Sequence, residues 1–215
     1  MNALSRHFCF AVGCLALAQC LVAPGLALAQ ATYDVDPKEF DVAATRSEAE
    51  AGNPRKMGEL GIALMLGVNV PRDEAQGIRW LEKAAAKHDN QSLVTLGMLK
   101  VQGHGMPKDP EGGVALVRRA ADRAYPPACT MLGQMYLKGI GAAKDEKEAF
   151  KWAYRGGAQG DREGEYLTGL LLATGTGTKA DLAQGRSWLK RAADKGHAEA
   201  KAVLQRLDGA KAPPK

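Results

Sequence analysis

The stretch that decides the fold is LGQMYLKGIGAAKDEKEAFKW, residues 132–152. It carries a Leu132-Gly133 pair, Tyr136, a Gly139-Ile-Gly141 turn, Asp145, Ala149 and Trp152. The same pattern recurs at a spacing of 36 residues, in four copies aligned without an insertion. Gly61, Gly97, Gly133 and Gly169 share one column, and Trp80, Leu116, Trp152 and Trp188 share another. Asp73, Asp109, Asp145 and Asp181 form a third. The turn reads Gly67-Val-Asn69, Gly103-His-Gly105, Gly139-Ile-Gly141 and Gly175-Thr-Gly177. A fixed period of this length marks an architecture in which each copy buries its apolar face against its neighbours.

Each column has a physical reading. Met57, Leu60, Gly61 and Leu64 fall on one helix face, and Cys129, Leu132, Gly133 and Tyr136 take the same places in the third copy. A glycine inside a helix costs about 1 kcal/mol of propensity. It is bearable where a second helix packs directly over it, so the glycine column predicts the crossing point of two helices. The second turn position holds only Gly or Asn. Those residues tolerate positive φ, which predicts a left-handed backbone there. The Asp column reads as the N-cap of the second helix. Gln76, Glu148 and Gln184 stand at capping-box spacing, and Pro110 opens the helix of the second copy. The Trp column and the pairs Ala84-Ala85, Ala120-Ala121 and Ala192-Ala193 set large against small residues on one face. That predicts a buried tryptophan column.

The expected fold is all-α: an α/α solenoid of four 36-residue helix-turn-helix repeats over residues 52–196, without a sheet. Phe40 to Ala51 fits the second helix of an incomplete earlier repeat, within an N-terminal segment over 30–51. Ala198 to Leu207 fits a lone first helix, within a C-terminal cap and tail over 197–215.

Residues 1–29 differ from the rest. They contain Arg6 as the one Lys or Arg, no acidic residue, and an apolar run from Phe8 to Ala23 ended by Pro24-Gly25. Ala27-Leu28-Ala29 supplies small residues at the positions a signal peptidase reads, so cleavage is expected after Ala29, with Ala31 the alternative. A periplasmic location in a Gram-negative bacterium follows, with secretion as the alternative and no membrane span after cleavage. The apolar run is short for a span. Three of the four cysteines lie in this leader, which leaves Cys129 without a disulfide partner in the mature chain. The mature chain keeps 28 basic against 24 acidic side chains, spread along its length. That balance does not suggest nucleic acid.

Taken together, Leu132-Gly133, Tyr136, Gly139, Gly141, Asp145, Ala149 and Trp152 resemble the Sel-one-like repeat, a relative of the tetratricopeptide repeat. The resemblance runs from Ala51 to about Gly196. Local departures are Leu116 for Trp, Thr168 for Leu, and His88 and Ala124 for the closing glycine. It implies an adaptor that holds proteins together, including exported bacterial members in envelope processes. Cysteine-rich members bind or cleave β-lactams, but their paired cysteines are missing here.

The residues themselves offer little chemistry. His88, His104 and His197 occupy three different columns and form no ligand pair. Cys129 shares a core column with Met57 and Leu93. Hence no enzyme activity, cofactor or metal is expected. The expected function is a protein-binding scaffold whose partner is another envelope protein. The alternative is an accessory that binds peptidoglycan or exopolysaccharide, disfavoured by tryptophans assigned to the core. Contact columns should vary between repeats. The candidate groove on the first-helix face is Thr95, Met98, Gln102, Met131, Gln134 and Lys138. A competing site is a basic ladder of Lys83, Arg119, Arg155 and Arg191, which also suits the negative end of the helix dipole.

Overall fold

The computed structural model describes residues 38–209. The expected signal peptide over residues 1–29, its cleavage site and the last six residues lie outside the described part. Among the described residues there are ten helices and no strand, an all-α chain of helical repeats. They are α1 (Val42–Glu50), α2 (Pro54–Leu66), α3 (Glu74–Ala86), α4 (Asn90–Gln102) and α5 (Pro110–Asp122). There follow α6 (Pro126–Lys138), α7 (Glu146–Ala158), α8 (Arg162–Thr174), α9 (Leu182–Asp194) and α10 (Ala198–Gly209). Two compact units divide them. One holds α1 to α5. The other begins at Cys129, in the first turn of α6, and runs through α10, apart from Ile140–Ala142, which group with the first.

Helix pairing rests on the glycine columns. A Cβ added to Gly61 would lie 2.8 Å from the Gly77 carbonyl oxygen and 3.0 Å from Leu81 Cγ. One on Gly97 would lie 2.8 Å from the Gly113 oxygen, and one on Gly169 would lie 2.9 Å from the Gly185 oxygen. In α6 the same position, Gly133, faces Ala149 and Ala153. The predicted crossing point is therefore real. It is two-sided: Gly77, Gly113, Ala149 and Gly185 form a second column of small residues, on the opposing helix.

The turns also behave as expected. Gly67, Gly103 and Gly175 end their helices in the left-handed region. Asn69, Gly105, Gly141 and Gly177, two residues on, have φ of 55°, 65°, 62° and 69°. The Asp that follows does two jobs. Its backbone N–H donates to the carbonyl nine residues earlier, as in Asp73 to Leu64 at 2.9 Å and Asp181 to Leu172 at 2.8 Å. Its carboxylate caps the next helix, accepting from the Gln76 and Gln184 N–H groups at 2.8 and 2.9 Å. The reciprocal arm of the capping box differs from expectation. The Glu148 carboxylate accepts from the Trp152 indole at 2.9 Å, and the Gln184 side chain donates to the Asp181 carboxylate. At Asp109 the Lys100 ammonium, 2.9 Å away, and the Gly112 N–H hold the carboxyl below its ordinary range.

The second loop of each repeat also turns left-handed. Gly52, Gly160 and Gly196 do so freely, whereas His88 and Ala124 are held at φ of 65° and 59°. Left-handed backbone costs a side-chain-bearing residue roughly 1–2 kcal/mol.

Two substitutions read these constraints in urea unfolding. Gly97→Ala improves helix propensity, yet its Cβ would meet Val117 Cγ2 at 2.7 Å as well as the Gly113 oxygen. Overpacking of about 1–3 kcal/mol exceeds the gain of about 1 kcal/mol, so a net loss of stability is expected. Ala124→Gly relieves strain and should add about 0.5–1 kcal/mol after the entropy of glycine in the unfolded chain is deducted.

Candidate functional site

The first-helix face divides into packed and accessible positions. Thr95 and Met98 are buried, at 4% and 6% exposure, and Thr95 Oγ1 donates to the Gln91 carbonyl at 3.0 Å. Met98 follows the crossing glycine directly, and its column mates Ile62 and Leu170 are buried as well. These two candidates serve packing. Gln102 is exposed in the first unit, while Met131, Gln134 and Lys138 are half-buried in the second. Gln134 Nε2 donates to Glu163 Oε1 at 3.2 Å. The open members of the candidate set thus lie toward the end of α4 and along α6.

The basic ladder lies in the last turn of each second helix. Three of its members sit over the aromatic ring three residues before them. Lys83 Nζ lies 4.3 Å from the Trp80 centroid, and the guanidinium carbons of Arg155 and Arg191 lie 5.2 and 4.3 Å from Trp152 and Trp188. Arg119 follows Leu116 and has no such ring. The ladder is thus tied to the tryptophan column as well as suited to the helix dipole.

The tryptophans are not uniformly buried, which corrects the expectation. Trp152 is 5% exposed, and its indole N–H is satisfied by Glu148. Trp80 and Trp188 are half-buried. The ring of Trp188 packs against exposed Tyr154 in a T-shaped pair, with centroids 5.5 Å apart. No second helix follows α9 among the described residues, since α10 repeats the first-helix position.

A feature absent from the sequence reading is Glu165. It occupies the column of Met57, Leu93 and Cys129, and it is 0% exposed. Its Oε1 meets Arg191 at 2.7 Å and Lys195 at 2.9 Å, while Oε2 is buried without a hydrogen bond. Lys195 Nζ also donates to the Gly160 carbonyl at 2.8 Å. The signal was a carboxylate in a core column. Cys129 is buried, in keeping with its column.

His197 precedes α10 and replaces the Asn53, Asp89 and Asp161 caps of α2, α4 and α8. Its Nδ1 accepts from the Ala200 N–H at 3.3 Å, and Nε2 faces Glu163 Oε2 at 2.9 Å. The ring stacks on Tyr166 at 4.2 Å. His104 pairs with Glu74 at 2.8 Å. His88 lines a polar cleft of about 430 Å³ with Asn53, Arg55, Lys87 and Tyr125. Among the described residues no cluster of His, Cys, Asp or Glu has metal-site geometry, and no helix is long and apolar enough to cross a membrane.

Burial predicts unequal roles for the tryptophans. Trp152→Ala should lower unfolding free energy by about 3–5 kcal/mol, the range for emptying a buried aromatic site. Trp80→Ala should lower it by about 1–3 kcal/mol, since part of that ring already meets water. Equal losses in calorimetry would contradict the burial difference.

Comparison with known proteins agrees with this geometry. The Sel1 repeat pattern matches residues 57–89, 92–125, 126–161 and 162–197. A search of curated proteins found no match. Among solved structures, a Sel1 repeat protein from Oxalobacter formigenes is 30% identical, with a TM-score of 0.72 over 77% of this chain and 67% of that one. The c5321 protective antigen of uropathogenic Escherichia coli strains, which displays an SLR fold, is 28% identical with a TM-score of 0.71. That match covers 75% of this chain, which spans about a third of the antigen, 35% of its length. Cysteine-rich protein B of Helicobacter pylori shares the fold at 20% identity and a TM-score of 0.50, over 62% of this chain and 96% of that one. With four matched repeats covering most of its length, the chain belongs to the Sel1 repeat family.

Proposed function

We propose that the chain is a non-catalytic adaptor of the Gram-negative periplasm that binds another envelope protein. Sel1 repeats are typically protein-interaction scaffolds. The observation that carries the reading is the contrast between columns. Crossing glycines, turns and caps recur in every repeat, while Gln102 gives way to Lys138 in one first-helix column and the buried Thr95 and Met98 give way to half-buried Met131 and Gln134 in two others. Apolar Met beside amides accepts varied side chains without a rigid pocket. The leader over residues 1–29 supports export.

The half-exposed rings bear on the glycan alternative, because sugar stacking needs free aromatic faces. Lys83 lies over Trp80, and Arg191 lies over Trp188 with Tyr154 packed against the same ring. Those engaged rings favour the protein reading.

Capture from an envelope extract on the immobilised mature chain supplies the partner, and titration with the purified partner tests the face. Met131→Glu should weaken binding at least tenfold, about 1.4 kcal/mol, with little salt dependence. If Met131→Glu binds as wild type, while salt and the pair Lys83→Glu with Arg119→Glu abolish binding, the site is the ladder instead. N-terminal sequencing of protein purified from cells should begin at Gln30.

A further inference from the structure

We propose that the polar cleft in the first unit binds a small polar oxyanion, a molecule that carries a carboxylate or phosphate group beside hydroxyls. The cleft has a volume of about 430 Å³, room for a small molecule. Three successive loops and the helix starts that follow them bring its walls together. Asn53 and Arg55 come from the start of α2, Lys87 to Gln91 from the loop and first turn leading into α4, and Tyr125 from the residue before α6.

Hydrogen-bond accounting selects the ligand. Three acceptors of the cleft are already spent. Asn53 Oδ1 accepts from the Arg55 and Lys56 N–H groups at 3.1 and 3.4 Å. Asp89 Oδ2 accepts from the Ser92 N–H at 2.8 Å, and Asn90 Oδ1 from Arg123 Nε at 2.9 Å. Donors stand open. The side chains of Lys87, His88 and Gln91 have no hydrogen bond or ion pair among the described residues. Arg55 spends Nε on Glu59 at 3.1 Å and keeps both Nη groups. An oxyanion takes several such donors at once, with the guanidinium suited to two of its oxygens. A neutral sugar must also donate, and with these acceptors occupied its hydroxyl hydrogens lose partners they had in water. Net charge is not what selects. Glu59 is shared by Arg55 and Lys56, and Asp89 stands against Lys87, so a small positive balance is left. Directed donors carry the preference.

The same columns are used differently elsewhere. Lys195 occupies the Lys87 column, and its ammonium is spent on Glu165 at 2.9 Å and on the Gly160 carbonyl at 2.8 Å. The column of Glu165 holds Met57 in the repeat of Lys87, so no carboxylate is supplied there. Lys87 Nζ nevertheless lies by the preceding loop, 3.3 Å from the place a Cβ on Gly52 would take. His88 stands where Gly52, Gly160 and Gly196 serve other loops, with its backbone left-handed at φ 65°. The turn does not ask for an imidazole. In the cleft it adds one more N–H in either neutral tautomer.

Isothermal titration calorimetry on the protein purified from cells tests the site, at low salt. The probes are glucuronate and glucose 6-phosphate, which separate carboxylate from phosphate, with glucose and triglutamate as controls. Arg55, at 78% side-chain exposure, and exposed Lys87 can be truncated without opening the core. Saturable binding of either anionic sugar supports the cleft when glucose is silent and Arg55→Ala and Lys87→Ala each weaken it roughly tenfold or more at unchanged Tm. Lys201→Ala, on exposed α10, and Met131→Glu should bind as wild type, so the result does not depend on the adaptor face. The proposal is overturned if neither anion binds saturably or glucose binds equally. It is also overturned if both cleft variants keep wild-type affinity, if Lys201→Ala loses as much, or if triglutamate alone binds.

Discussion

Backbone contact between two helices at a pair of small residues is the constraint on which the repeat depends. Where Gly61 meets Gly77 or Gly97 meets Gly113, a side chain on either helix would run into the other helix's backbone or its core side chains. Close approach brings the flanking apolar residues into contact as well. Leu60 and Leu81 are fully buried beside the first crossing, and Leu132 and Ala153 beside the crossing of α6 and α7. Glycine lowers helix propensity at these points, but dense packing offsets the loss. The rest of the repeat serves that contact. The turn and its Asp set where the second helix starts, and so which residue reaches the crossing.

Much of this was legible in the sequence because it requires particular residue types at a particular spacing. The left-handed turn needs Gly or Asn, the cap needs a short acceptor, and the crossing needs glycine. Asp73, Gly97 and Asn69 could therefore be assigned their roles before any coordinates. The partner column of Gly77, Gly113 and Gly185 repeats just as regularly, but it was hidden because Ala149 breaks it. The tryptophan column misled for a different reason. Periodicity places a residue on a face without saying how deeply neighbouring helices cover it. Trp152 is covered, whereas Trp188 lacks a following second helix among the described residues.

The candidate site was less legible. Spacing put Thr95 and Met98 on the same face as Gln102, yet the two residues nearest the crossing glycine are drawn into the core. A face on a helix that packs on several sides is not a surface. Variation between repeats marks contact at accessible positions, but it also arises where one packed environment differs from the next. Thr95 illustrates this, since its hydroxyl is satisfied within its own helix.

Departures within otherwise regular columns carry information of their own, beside that of the accessible columns that vary. Where three repeats agree and the fourth differs, physical chemistry can ask what the difference does. Glu165 among Met57, Leu93 and Cys129 introduces a charge into a core position, and the structure supplies two cations for it. Tyr154 among charged residues introduces an aromatic ring at the surface, and the structure supplies Trp188 to pack against it. The two departures meet at Arg191, which binds the first through its charge and joins the second through the indole it covers. Since the crossing and caps of α8 and α9 follow the common pattern, these changes leave the repeat's scaffold intact and alter the chemistry it presents.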